Sequence, residues 1–123
     1  MVVDDLAPQR VDRMFHALAD ATRRDIVECV LLGKSTVSSL ARRYPMSFAA
    51  VQKHVAVLER AELVTKERRG REQIVRANIA AVRDASTVLD HFESLWRSRM
   101  ERFGDLLAET VASEPGHPRG AAE

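Results

Sequence analysis

The chain has 123 residues and a mass of 13.8 kDa, enough for one domain and too little for two large cores. Apolar residues make up 46%, charged residues 30% and the formal net charge is +1, which fits a globular chain and excludes a polybasic or acidic tail protein. The single cysteine, Cys29, excludes an internal disulfide and an all-cysteine metal site, and no apolar run approaches the ~20 residues that span a bilayer.

The start, Met1 to Asp5, carries acids and no long apolar stretch, so a cytoplasmic address is expected rather than secretion. Val11, Met14, Phe15 and Leu18 then recur at helical spacing and predict an amphipathic helix. Asp20 is placed to cap a second helix, whose first turns carry Arg23 and Arg24. Ile26, Val27, Val30 and Leu31 form its apolar stripe, and Gly33 is expected to end it in the left-handed conformation. Ser35 or Thr36 offers the next cap, for a short helix with Val37, Leu40, Ala41 and Tyr44 on one side. Pro45 cannot continue that helix.

Ser47 caps the helix that follows. Val51, Val55 and Leu58 form its inner stripe, while Ala49, Gln52, Lys53, Ala56 and Arg60 face the other way. That outer face is small at two positions and polar or basic at three, so its backbone can approach another surface closely. Two strands are expected at Leu63 to Arg68 and Glu72 to Ala77, joined by the tight turn Arg69-Gly70-Arg71. Arg68, Arg69, Arg71 and Arg76 cluster on or beside this hairpin. From Lys34 to Asn78 there are ten Lys/Arg against four Asp/Glu, a net +6, whereas the flanks together hold nine against fourteen, a net −5. One basic face on a near-neutral chain points to a polyanionic partner, with a solvated charged face as the alternative.

From Ala80 a last helix is expected to run to about Ala112, with Ser86 or Thr87 capping its main part after a short turn. Val88 or Leu89, then Phe92, Leu95, Trp96, Phe103, Leu106 and Leu107, stripe it at spacings of three and four. This stripe is buried either on its own domain or against the same helix of a second chain. Beyond Ser113 the composition predicts a disordered tail over residues 113–123.

A short helix, a Pro-containing turn, a helix with a small polar outer face and a basic hairpin follow the winged helix-turn-helix plan. The segment Ser47-Phe48-Ala49-Ala50-Val51-Gln52-Lys53-His54-Val55-Ala56-Val57-Leu58-Glu59-Arg60-Ala61 resembles the ArsR-type winged helix-turn-helix repressors. The resemblance extends to Leu18-Ala19-Asp20-Ala21-Thr22-Arg23-Arg24, to Thr36-Val37-Ser38-Ser39-Leu40-Ala41 and to Arg68-Arg69-Gly70-Arg71, and covers about residues 8 to 112. It implies a mainly α, dimeric fold of five or six helices plus a two-stranded wing over residues 1–112. It also implies a homodimer that represses transcription, or less often activates it, on a palindromic double-stranded DNA operator. The expected pairing residues are Val11, Met14, Phe15, Leu18, Leu89, Phe92, Leu95, Trp96, Phe103 and Leu106 from the first and last helices. The family often carries Pro where Ala21 stands, Ser where Gln52 stands and Gly where Glu62 stands. The last of these leaves the end of the recognition helix open by a residue or two.

Within that plan Gln52 and Lys53 are the candidates for base reading, beside Ala49, and Gln can both donate and accept at an adenine edge. Ser47 has capping as one role and a phosphate contact as another. Phe48 contacts a thymine methyl or packs under the wing. His54 contacts phosphate or makes a hydrogen bond inside the fold. Arg68, Arg69 and Arg71 are expected on phosphate or in the minor groove, where contacts fix position more than sequence. Arg23 and Arg24 are equally accounted for by pairs with Asp20 or Asp25.

No metal site or cofactor is expected. The short helix carries no cysteine, and Asp90, His91 and Glu93 lack a second histidine at ligand spacing. Cys29 lies on an apolar stripe, as a small core residue or a redox switch. Phe92, Trp96 and Phe103 serve packing or line an effector pocket. No catalytic triad, phosphate loop or glycine-rich nucleotide turn suggests an enzyme. A winged-helix protein–protein module without DNA binding and a metal- or redox-responsive repressor are the competing readings.

Overall fold

A computed structural model describes residues 3–113, which divide into two units, residues 3–88 and 89–113. After a 3-10 turn at Val3–Asp5 come α1 (Pro8–Leu18), α2 (Ala21–Leu32), β1 (Ser35–Thr36), α3 (Val37–Ala41), α4 (Phe48–Arg60), β2 (Val64–Arg69), β3 (Glu72–Ala77) and α5 (Ile79–Ser113).

Local chemistry sets the helix starts. Pro8 opens α1, where its missing N–H costs nothing. Asp20 caps α2 by accepting from the Arg23 backbone N–H at 3.0 Å. Ala21 is therefore the first helical residue, the position where proline is best tolerated. Thr36 and Ser39 form a reciprocal capping box at the head of α3, each side chain accepting the other's backbone N–H at 3.0 Å.

The core of the first unit gathers Met14 and Ala17 of α1, Ile26, Val27 and Val30 of α2, and Val37 and Leu40 of α3. Val51, Val55 and Leu58 of α4, Ala61 and Leu63 after it, the sheet residues Val64 and Val75, and Ala81 and Ala85 of α5 complete it. Val51, Val55 and Leu58 have no solvent exposure, so the inner stripe of α4 is wholly committed and its opposite face is left for solvent or a ligand.

Several expectations are revised. Gly33 ends α2 with φ 167°, an extended conformation rather than a left-handed one. The next two residues form a third strand, Ser35 and Thr36 pairing with Val75 and Ile74, so the sheet has the antiparallel order β1-β3-β2. A two-residue strand is too short to show alternation and has no signature in sequence. α3 stops at Ala41, leaving Tyr44 outside it, where its hydroxyl donates to Asp25. The hairpin turn tightens to Gly70-Arg71, with Arg69 opposite Glu72 and Gly70 at φ 62°.

α5 is continuous from Ile79, with no break at Ser86 or Thr87. The Thr87 hydroxyl donates instead to the Arg83 carbonyl at 2.9 Å, within the helix. Met14 has no exposure and belongs to the chain's own core, so it has no surface to give a partner. Helical spacing alone could not separate it from its neighbours Val11, Phe15 and Leu18, which keep partial exposure. The expected tail lies outside the described residues except for Ser113, which ends α5.

In the second unit, Leu89, Phe92, Leu95, Trp96, Phe103, Leu106 and Leu107 are each more than half exposed along one helix. No helix of the described residues is long and apolar enough to cross a membrane.

Candidate nucleic-acid interface

The turn after α3 leads into Ser47, whose side chain accepts from the Ala50 backbone N–H at 3.1 Å and starts α4. From this start the 100° step of the helix turns Val51, Val55 and Leu58 inward and Ala49, Gln52 and Lys53 outward. All three outward residues are exposed, Ala56 is half-buried and Arg60 is exposed at the far end. Lys53 and Arg60 have no ion pair among the described residues. Phe48 stands about half exposed at the head of the helix.

His54 lies at the flank of this face and is half-buried. Its Nδ1 is 3.2 Å from Arg23 Nη1 and 3.9 Å from an Asp20 oxygen. A guanidinium can only donate, so in the contact with Arg23 the acceptor is His54 Nδ1. Arg23 also donates to the Ala17 carbonyl at 2.8 Å and the His16 carbonyl at 3.2 Å. Arg24 donates to the Leu18 carbonyl at 2.8 Å. Neither arginine makes a side-chain pair with Asp20 or Asp25. Both tie down the carbonyl end of α1, and Arg23 braces α4 through His54. The Asp20 carboxyl is held below the usual carboxylate range, first by the Arg23 backbone N–H.

The wing separates its arginines by face. In β2, Val64, Lys66 and Arg68 share one face and Thr65, Glu67 and Arg69 the other. Lys66 Nζ reaches Glu59 of α4 at 3.4 Å, which identifies the first face as the one toward α4. Arg68 therefore lies on the same side as α4. It and Arg71 at the turn are exposed and make no ion pair among the described residues. Arg69 instead sits 3.6 Å from Glu67, which also pairs with Arg76 at 3.0 Å. Thus Arg68 and Arg71 keep their full charge for a ligand, while Arg69 and Arg76 share one carboxylate. Sequence reasoning missed Lys66 as the link between wing and helix, because its partner Glu59 is close only once the hairpin folds back.

Among the described residues no three His, Cys, Asp or Glu side chains gather as a metal would require. Glu93 is paired with Arg97 at 2.8 Å. Cys29 is half-buried, with its sulfur 3.8 Å from an Asp25 oxygen.

No family model matches the chain. The HTH-type transcriptional regulator Rv2034 of Mycobacterium tuberculosis is 35% identical over 96 residues, 78% of this chain and 87% of that protein. The solved ArsR-like transcriptional regulator from Rhodococcus sp. RHA1 superposes with a TM-score of 0.68 at 30% identity, covering 80% of this chain and 92% of that one. The chain belongs to the ArsR-type winged helix-turn-helix transcriptional regulators. A more distant relative, the transcriptional repressor SdpR of Bacillus subtilis, is 25% identical over 75 residues, 61% of this chain and 83% of that protein. In this ArsR-type regulator the familiar parts are therefore α3 as the bracing helix, α4 as the recognition helix and β2–β3 as the wing. Its recognition helix presents the exposed amide of Gln52.

Proposed function

We propose that this regulator is a homodimer that represses transcription by occupying a palindromic DNA operator. α4 enters the major groove, and Gln52 and Lys53 read base edges across the low ledge of Ala49 and Ala56. Ser47 and Phe48 meet the backbone or a thymine methyl at the helix start, and Arg68 and Arg71 hold phosphates from the wing. Arg69 adds charge at the wing tip, weakened by Glu67. His54 acts from inside the fold, aligning α4 through Arg23. The pairing surface is the stripe Leu89, Phe92, Leu95, Trp96, Phe103 and Leu106 on α5, with Val11, Phe15 and Leu18 of α1 as a further contribution.

The observation that carries this reading is the pairing of an exposed, small-residue face on α4 with arginines on the same side of the wing that no carboxylate neutralises. A duplex enriched from a random-sequence pool by the wild-type chain serves as the probe. Gln52→Ala with Lys53→Ala should lower affinity for it by at least tenfold, since one good bidentate base contact is worth about 1–3 kcal/mol. Melting temperature should stay at the wild-type value. Equal affinity in fluorescence anisotropy would remove α4 from the interface.

A further inference from the structure

The recognition helix ends on a residue whose conformation is costly and whose side chain is tied down. Ala61 closes α4, and Glu62 follows at φ 66°, the one non-glycine residue in the left-handed region among those described. Glu62 N–H donates to the Glu59 carbonyl at 2.9 Å and Leu63 N–H to the Leu58 carbonyl at 3.0 Å, the paired bonds of a Schellman ending. Glycine would adopt this backbone freely, whereas glutamate is strained in it by its Cβ. A helix that needed only a stop would be served better by glycine.

What glutamate adds is a carboxylate, and its contacts run to two other helices. Glu62 Oε1 accepts from Arg10 Nε of α1 at 3.0 Å. Arg10 Nη1 donates in turn to Asp84 of α5 at 2.7 Å, and Asp84 is the buried charged residue of the described core. Asn78, just before α5, donates from its side chain to the Glu62 carbonyl at 2.8 Å and from its backbone to the Leu63 carbonyl at 3.0 Å. The end of the recognition helix is thus bonded to α1 and to the head of α5. The two carboxylates hold the Arg10 charge more firmly, Asp84 first.

We propose that Arg10 and Glu62 are positioning residues for DNA recognition: their ion pair sets the attitude of α4 against α1 and the first turns of α5. This inference rests on the DNA-binding reading above. Neither residue needs to touch DNA, and the sign of the effect distinguishes positioning from simple charge. Removing a negative charge from a DNA-binding surface strengthens electrostatic attraction to phosphate. Losing the tie should weaken specific binding instead.

The test uses full-length chains and the duplex enriched by the wild-type protein. Glu62→Gly removes the carboxylate but accepts the left-handed backbone, and Glu62→Gln leaves Asp84 paired with Arg10. Both variants should bind about tenfold more weakly, equivalent to ~1.4 kcal/mol. Glu62→Gly should melt at or above the wild-type temperature. The salt dependence of binding should keep the wild-type slope in both, because no phosphate contact is lost. Arg10→Lys combined with Glu62→Gln should be no weaker than the weaker single variant, since both break one tie. Wild-type affinity, or tighter binding, in both glutamate variants overturns the inference alone. A wild-type chain that enriches no sequence overturns the inference together with the DNA-binding reading.

Discussion

Asp25 shows how one side chain can hold the approach to the recognition helix. It accepts from the Tyr44 hydroxyl at 2.5 Å and from Arg43 Nη2 at 3.2 Å, joining α2 to the turn that precedes α4. Arg43 also lies over the Tyr44 ring, 5.9 Å from its centre. The Tyr44 hydroxyl, and after it Arg43, keep the Asp25 carboxyl below its ordinary range, while burial and Asp25 push the Tyr44 hydroxyl up. A carboxylate depressed in the native state stabilises the fold above its unfolded-state value and loses that contribution as pH falls through the native one. Tyr44→Phe should therefore cost about 1 kcal/mol or less at neutral pH, because Asp25 is partly solvated. The gap to wild type should close as the medium is acidified below the ordinary carboxylate range. Urea unfolding of both chains across that pH series checks it, and a gap that widens in acid would contradict the assignment. At this scale the sequence offered candidates but not partners. Asp20, Asp25, Arg23 and Arg24 all stood out, yet Asp25 found Tyr44 and Arg43 rather than the nearby arginines. Such pairings depend on how α2 meets the loop after α3, which spacing along the chain does not contain.

Among the elements, α4 was legible because its start, stripe and outer face each carry a separate signal. Ser47 caps, Val51, Val55 and Leu58 are buried, and Ala49, Gln52 and Lys53 are exposed, as expected. Its end was not legible, because a glutamate at φ 66° runs against backbone preference and is held by residues from α1 and beside α5. β1 and the continuity of α5 through Thr87 also escaped, the first for its length and the second because threonine caps helices and also sits within them. The head of α4 gives a prediction in which fold and ligand separate. Ser47→Ala should lower stability by about 1 kcal/mol through loss of the cap. Ser47→Asp should keep that stability, as aspartate caps equally well, yet bind the enriched duplex more weakly, because its carboxylate would face phosphate. Chemical denaturation and anisotropy on the same two variants measure the pair. Full binding by the aspartate variant would place the head of α4 away from the backbone.

For the molecule as a whole, two surfaces stand exposed among the described residues: the α4–wing face of the first unit and the apolar stripe of α5 in the second. The stripe was visible in sequence as an excess of aromatics in one helix, although its alternative destinations could not be separated by periodicity. In the folded chain Leu89, Phe92, Leu95, Trp96, Phe103 and Leu106 remain more than half exposed, which favours a partner over the chain's own core. Met14, which the family resemblance placed among the pairing residues with them, is buried instead. Hydroxyl-radical footprinting of the enriched duplex tests both surfaces at once. A paired regulator reading DNA through α4 should protect two symmetry-related stretches whose centres lie about one helical turn, roughly 34 Å, or a multiple of it apart. A single protected stretch, or uniform cleavage at protein concentrations that saturate the anisotropy signal, would contradict the account.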